Sequence, residues 1–284
     1  MTAETQILDA HVHIFAPEFI QNRNRHLADE AVFRLLYADP KARLASAEDL
    51  IQTMDQDGIA QAVVCGFPWH DPGRARSHNA YILAAAQQFP GRLLPLAAVD
   101  PLAQGAQTEA EHALSQGAIG LGEIGAYNAD LADPAVRAGL IPLAHLCAEA
   151  DRPLLLHCNE PIGHNYPGKS PMTLGGLYQL IKDCPRTRFQ LAHLGGGLFF
   201  YLSLKIEVAQ VLKNCVFDTA AAPYLYQPGM YQSFLALAGK QRLLFGSDFP
   251  LLRLRRYLSM LQDTVPAAEL EPILGHNAQR FWSA

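Results

Sequence analysis

Eight short runs of apolar and β-branched residues recur along the chain, at 7–14, 60–67, 92–100, 118–125, 153–159, 188–195, 216–220 and 242–249. Stretches with helical periodicity lie between them. This alternation is the pattern of repeated βα units around a parallel sheet. Eight repeats within 284 residues match the size of one (β/α)8 TIM barrel, so a single α/β barrel domain over 1–284 is predicted.

Local signals fill in the helices. Residues 46–58 open with Ser46 and Asp49 at capping-box spacing and close at Gly58, which reads as one complete helix. Residues 75–89 and 134–150 carry the same 3.6-residue period. The C-terminal segment at about 266–284 reads as a pair of short helices broken around Gly275, packed on the barrel exterior or closing its lower end. Two connections are too long for plain turns. Residues 15–45 hold enough apolar side chains for a small lid, with Arg23, Arg25 and His26 within it, and residues 159–172 follow the fifth run. Both leave the C-terminal ends of strands, where barrel active sites are built.

The composition narrows the function. Apolar residues make up 50% and charged residues 17% of the chain, enough for a large core. A net charge of -5 argues against nucleic acid as partner. The opening residues do not resemble a secretory signal, and no apolar run is long enough to span a bilayer. The five cysteines, at 65, 147, 158, 184 and 215, are odd in number and lack CxxC spacing. Reduced thiols in a cytoplasmic protein are therefore expected, with Cys158 turned away from its neighbour His157 into the packing layer. A small-molecule substrate is the expected partner, and homo-oligomerisation stays open.

His11-Val12-His13 is the first chemical signal. With 11 histidines in the chain, a His-x-His pair arises by chance roughly 0.4 times, so it needs context. Its context is a strand, where residues i and i+2 share a face and two imidazoles can grip one metal ion. Asp9 lies one step earlier on that face and could orient the cluster. Four more polar residues share a position: Glu123, His157, His193 and Asp248 each stand near the C-terminal end of an apolar run. Buried imidazoles and carboxylates are costly unless paired or metal-bound, and a shared metal offsets that cost.

The series DAHVH, GEIG, LLLHCNEP, LAHLGGG and FGSDFP, with GHNAQRF at 275–281, resembles the amidohydrolase superfamily, in particular its "amidohydrolase 2" branch with TatD-like features. The resemblance spans nearly the whole chain and implies a metal-bearing barrel. It implies that His11, His13, Glu123 and Asp248 form one metal site, that Glu123, His157 and His193 complete a second, and that no carbamylated lysine takes part. Glu123 departs from the single-metal members of the branch.

These groups also imply a chemistry. One or two divalent ions would activate a bound water and polarise the scissile bond. Asp248 would carry the proton from that water to the leaving group, and His193 would hold the oxyanion or bind metal. Nitrogen and oxygen donors suit Zn²⁺, with Mn²⁺, Fe²⁺ or Co²⁺ as alternatives. Lys169, His164, Tyr166, Trp69 and His70 follow strand ends and are the candidate substrate contacts. The three glycines at 195–197 lack a phosphate-loop pattern and read as a close-approach turn. Hydrolysis of a small amide, lactone or ester is the first expectation. Decarboxylation of an aromatic or dienoic acid, which the resembled branch also contains, is the alternative, and a TatD-like nuclease is the third.

Overall fold

The computed structural model describes residues 6–283. Each apolar run becomes a strand: β1 (Ile7–His13), β2 (Ile59–Cys65), β3 (Leu93–Ala97), β4 (Gly120–Ile124), β5 (Leu154–Leu156), β6 (Phe189–Leu191), β7 (Cys215–Asp218) and β8 (Leu243–Leu244). All are parallel and bonded in chain order. The seam closes where the backbone after β8 meets β1. Ala10 N–H donates to Phe245 O at 2.8 Å, Asp248 N–H to His11 O at 2.9 Å and His13 N–H to Phe249 O at 2.7 Å. The result is a (β/α)8 barrel.

The expected helix signals operate as read. Ser46 and Asp49 form a reciprocal capping box at the start of Ala47–Asp57, and Gly58 ends that helix with φ 71°. Asp71 and Asp133 cap the helices Pro72–Gln88 and Pro134–Glu149. No helix among the described residues is long and apolar enough to cross a membrane. All five cysteines are buried and free, and Cys158 packs in the large cluster between strands and helices.

The C-terminal segment takes the second of its two expected positions. Helices Ala267–Glu271 and Asn277–Trp282 are joined by one wide π turn, Pro272–His276, that contains Gly275. Phe281 and Trp282 then pack with Val63, Leu96, Leu155 and Leu244, closing the barrel at the N-terminal ends of its strands. Gly120 opens β4 without a side chain, and a Cβ there would stand 2.8 Å from the Trp282 ring. A small residue at that point makes room for the plug.

Residues 15–45 fold as three short helices, Pro17–Gln21, Arg23–Asp29 and Ala31–Tyr37. They bury their own apolar cluster of Phe15, Phe19, Phe33, Phe67 and Trp69. Trp69 stacks on Phe19 and Phe33 with centroids 4.9 Å away in both cases. Its indole N–H donates to His78 Nδ1 at 2.9 Å, while His78 Nε2 lies 2.8 Å from Ile14 O. An indole can only donate and a carbonyl can only accept, so His78 is held as the neutral Nε2–H tautomer. Burial, reinforced by the nearby His13, lowers its pKa from 6.5 to about 4.

That shift has a definite sign. Between pH 6.5 and about 4 the unfolded chain binds the proton that the folded chain refuses, so this contribution is complete above 6.5 and falls away as the pH drops. Between pH 7 and pH 5 the loss from His78 comes to about 2 kcal/mol. Urea unfolding at the two pH values, on the wild type and on His78→Gln, is expected to show that much less acid sensitivity in the variant. Equal slopes would refute the assignment.

Candidate metal centre

The strand ends bring six side chains to one point. His11 and His13 leave β1 with their Nε2 atoms 3.1 Å apart. The outer nitrogen of each faces an acceptor: His11 Nδ1 lies 3.0 Å from Asp218 Oδ2, and His13 Nδ1 lies 3.4 Å from Gly66 O. His193 is held likewise, with Nδ1 2.9 Å from Ala220 O. A proton on each outer nitrogen leaves the inner lone pairs pointing at one another, which is repulsive unless a cation lies among them.

Glu123 is at the centre. Its Oε1 is 3.7 Å from His11 Nε2 and from His193 Nε2, its Oε2 is 3.7 Å from His13 Nε2, and it accepts the Tyr127 hydroxyl at 3.1 Å. His157 Nδ1 approaches Glu123 Oε1 at 3.0 Å, with its other nitrogen 2.9 Å from Gly168 O. Asp248 Oδ1 lies 3.4 Å from His13 Nε2 and 3.9 Å from His11 Nε2. Two donor triads result, His11/His13/Glu123 and Glu123/His157/His193, sharing Glu123.

The electrostatics agree with the geometry. Burial alone would raise the Glu123 pKa, yet His157, His11 and His13 hold it well below the usual carboxylate range. Asp248 is brought to about 2 by His13, His11 and His193, also against burial. His11 rises to about 10 because Asp218 and Glu123 outweigh its desolvation. Without an ion, protons supply the positive charge that these carboxylates require, and a divalent ion would displace them on binding. Imidazole and carboxylate donors of this kind fit a divalent metal.

Backbone conformation sets these positions. Asp248 has φ 57° and is tied by its own N–H to His11 O at 2.9 Å. After β6, His193, Leu194 and Gly195–Gly197 all take positive φ, turning the chain sharply at the cluster. A Cβ on Gly196 would collide with the Asn159 carbonyl, which explains the need for glycine there. Asp9 Oδ1 accepts His11 N–H at 3.2 Å and Ser247 N–H at 2.9 Å, bracing β1 against the chain after β8.

Above the cluster lies a cavity of about 490 Å³. His164 and Tyr166 line it, as the sequence suggested, and so do His13, Glu123, His157, His193 and Asp248. Three expected contacts are not brought to it. Lys169 Nζ folds back onto Gly163 O and His164 O, each at 3.1 Å. Trp69 is fully buried beneath the 15–45 helices. His70 pairs with Asp100 at 2.7 Å beside a neighbouring groove of about 830 Å³ that contains none of the metal donors. That groove is the larger, but the donors identify the smaller cavity as the site.

Other residues escaped the sequence reading. Lys41 and Arg43 line the cavity from a loop that Arg23 fastens by donating to Ala42 O at 2.9 Å and Asp39 O at 2.6 Å. No short-range motif marks them. Asp218 does have a signal, since it ends a strand like the other cluster residues.

Solved structures of similar fold cover nearly the whole chain. A 5-carboxyvanillate decarboxylase from Novosphingobium aromaticivorans, complexed with manganese and 4-hydroxy-3-methoxy-5-nitrobenzoic acid, aligns with TM-score 0.76 and 16% identity over 99% of this chain and 97% of its own. A dihydroxybenzoic acid decarboxylase from Polaromonas sp. JS666, with manganese and 2-nitroresorcinol, gives 0.68 and 15% over 98% and 97%. A probable 2-pyrone-4,6-dicarboxylic acid hydrolase from Acinetobacter baumannii, with citric acid bound, gives 0.63 and 16% over 98% and 100%. At these identities the likeness is one of fold. No curated protein matches the sequence significantly. The family model described as Amidohydrolase matches residues 8–284, and the chain belongs to that family.

Proposed function

We propose that this protein is a metal-dependent decarboxylase of a small aromatic hydroxy acid. The observation that carries this reading is the lining of the cavity over the metal donors. Five aromatic side chains, Tyr37, Phe67, Tyr127, Tyr166 and Tyr224, share it with the cations Lys41 and Arg43. Flat rings suit a flat ring, and the two cations suit its anionic groups. The two decarboxylases described above, both with manganese, support this over the hydrolysis expected from sequence. They also support Mn²⁺ ahead of Zn²⁺.

His11, His13, Glu123 and Asp248 would hold the ion, with His157 and His193 available to a second. A bound divalent ion would supply positive charge that offsets that of the anionic substrate and stabilises the phenolate oxygen left when the ring hydroxyl ionises. Asp248, ionised at the cavity floor, accepts the proton of the ring hydroxyl and delivers it to the ring carbon that bears the carboxylate. The C–C bond then breaks, its electron pair returns to the ring and CO₂ leaves. The hydroxyl recovers a proton from solvent, so the net reaction replaces carboxylate by hydrogen. The aromatic walls keep water away from the reacting carbon.

The test is to load the protein with Mn²⁺ and incubate it with substituted 2-hydroxybenzoates in D₂O. CO₂ release matched by deuterium at the vacated ring carbon is the expected result. Hydrolysis of aryl esters or lactones, with no CO₂ from any acid offered, would overturn the reading in favour of a hydrolase.

A further inference from the structure

A line of buried polar groups crosses the barrel from the C-terminal plug to the metal donors. Trp282 is almost fully buried, and Gln190, Asp218 and His11 have no exposure. The Trp282 indole N–H donates to Gln190 Oε1 at 2.8 Å. The Gln190 amide donates its two hydrogens to Asp218 Oδ2 at 2.7 Å and to Ala10 O at 3.0 Å. Asp218 Oδ2 also faces His11 Nδ1 at 3.0 Å, while Oδ1 accepts His193 N–H at 2.9 Å and Ala220 N–H at 3.0 Å.

Each link dictates the next. An indole can only donate, so the Gln190 oxygen must face Trp282 and its NH₂ must face Asp218. Asp218, surrounded by donors on both oxygens, acts solely as an acceptor. His11 Nδ1 must then carry a hydrogen, and its Nε2 lone pair points at the cluster. Turning the amide over would set N–H against N–H and oxygen against carboxylate among buried groups, where each unmade bond costs about 1–3 kcal/mol.

We infer that Gln190, clamped by Trp282, is a positioning residue for the metal: through Asp218 it fixes the tautomer and the aim of His11 from the opposite end of the barrel. This rests on reading the cluster as a metal centre. The plug formed by the last helix is thereby coupled to ion affinity as well as to stability.

Three variants of the full chain separate that coupling from packing. Gln190→Leu removes the link, Trp282→Phe removes the indole donor together with part of its ring, and Phe281→Leu removes the ring that packs edge-on against Trp282, loosening the plug while leaving every hydrogen bond of the line in place. Mn²⁺ affinity is measured by titration, ligand geometry by the visible spectrum of the Co²⁺ form, and folding by thermal melting of the metal-free protein. The expected Kd rises are about tenfold for Gln190→Leu and about threefold for Trp282→Phe, the loss of an outer partner costing about 10–100-fold. Both should change the Co²⁺ spectrum. Phe281→Leu should lower the melting temperature and leave Kd and spectrum unchanged. Unchanged affinity in both Gln190→Leu and Trp282→Phe, or an equal loss in Phe281→Leu, would overturn the inference while the metal centre stands. A wild type that takes up no ion would overturn both.

Discussion

Replacing Glu123 by glutamine is expected to cost the protein most of its metal and at least about 100-fold in turnover, the upper end of what losing even an outer partner of a ligand costs. Glutamine keeps the shape and removes the charge. Glu123 is the one carboxylate common to both donor triads, and four imidazoles lie within 3.7 Å of its oxygens. The amide would instead turn an N–H toward these rings. Metal analysis after purification without chelators should find about one to two ions per wild-type chain and well under half of that in the variant. Raising Mn²⁺ in the assay should recover only part of the activity. Full metal content with near-normal turnover would reduce Glu123 to an anchor for Tyr127 and His157.

What the sequence disclosed and what it hid divide along a physical line. Strand and helix periods, the Ser46/Asp49 capping box and the placing of His11, His13, Glu123, His157, His193 and Asp248 at strand ends depend on local spacing, and local spacing is visible in one dimension. The fold and the convergence of these six residues were therefore legible. The cavity above them was not, because it depends on how long connections fold back. Lys169 reads as a free cation in a loop, but its ammonium is taken by two carbonyls of that loop. Trp69 follows a strand end as a pocket residue would, yet the aromatic residues of the 15–45 segment needed a core of their own and took it. Conversely, Lys41 and Arg43 are brought in by a loop whose course is set by Arg23 donating to backbone carbonyls, an interaction with no sequence period. Gln190 hid for another reason: one polar residue in an apolar strand looks like a solvent-facing position until the barrel closes around it.

Replacing Asp248 by asparagine is expected to lower kcat by about 10²–10⁴-fold, the range for loss of a general acid–base group, with a much smaller effect on KM. Asparagine matches aspartate in shape, and the unusual backbone at this position, φ 57° with its N–H on His11 O, belongs to a residue type that tolerates it. Position is thus preserved while the proton carrier is lost. The wild-type carboxylate is held ionised by His13, His11 and His193 against its burial, so it begins the reaction without a proton. Assays across a range of Mn²⁺ concentrations distinguish its two possible duties. A deficit that disappears as Mn²⁺ rises would make Asp248 a ligand alone, whereas one that persists at saturation identifies the group that moves the proton. A kcat within about tenfold of wild type would remove Asp248 from the chemistry and leave His193, with its Nε2 free toward the same centre, as the group to test next.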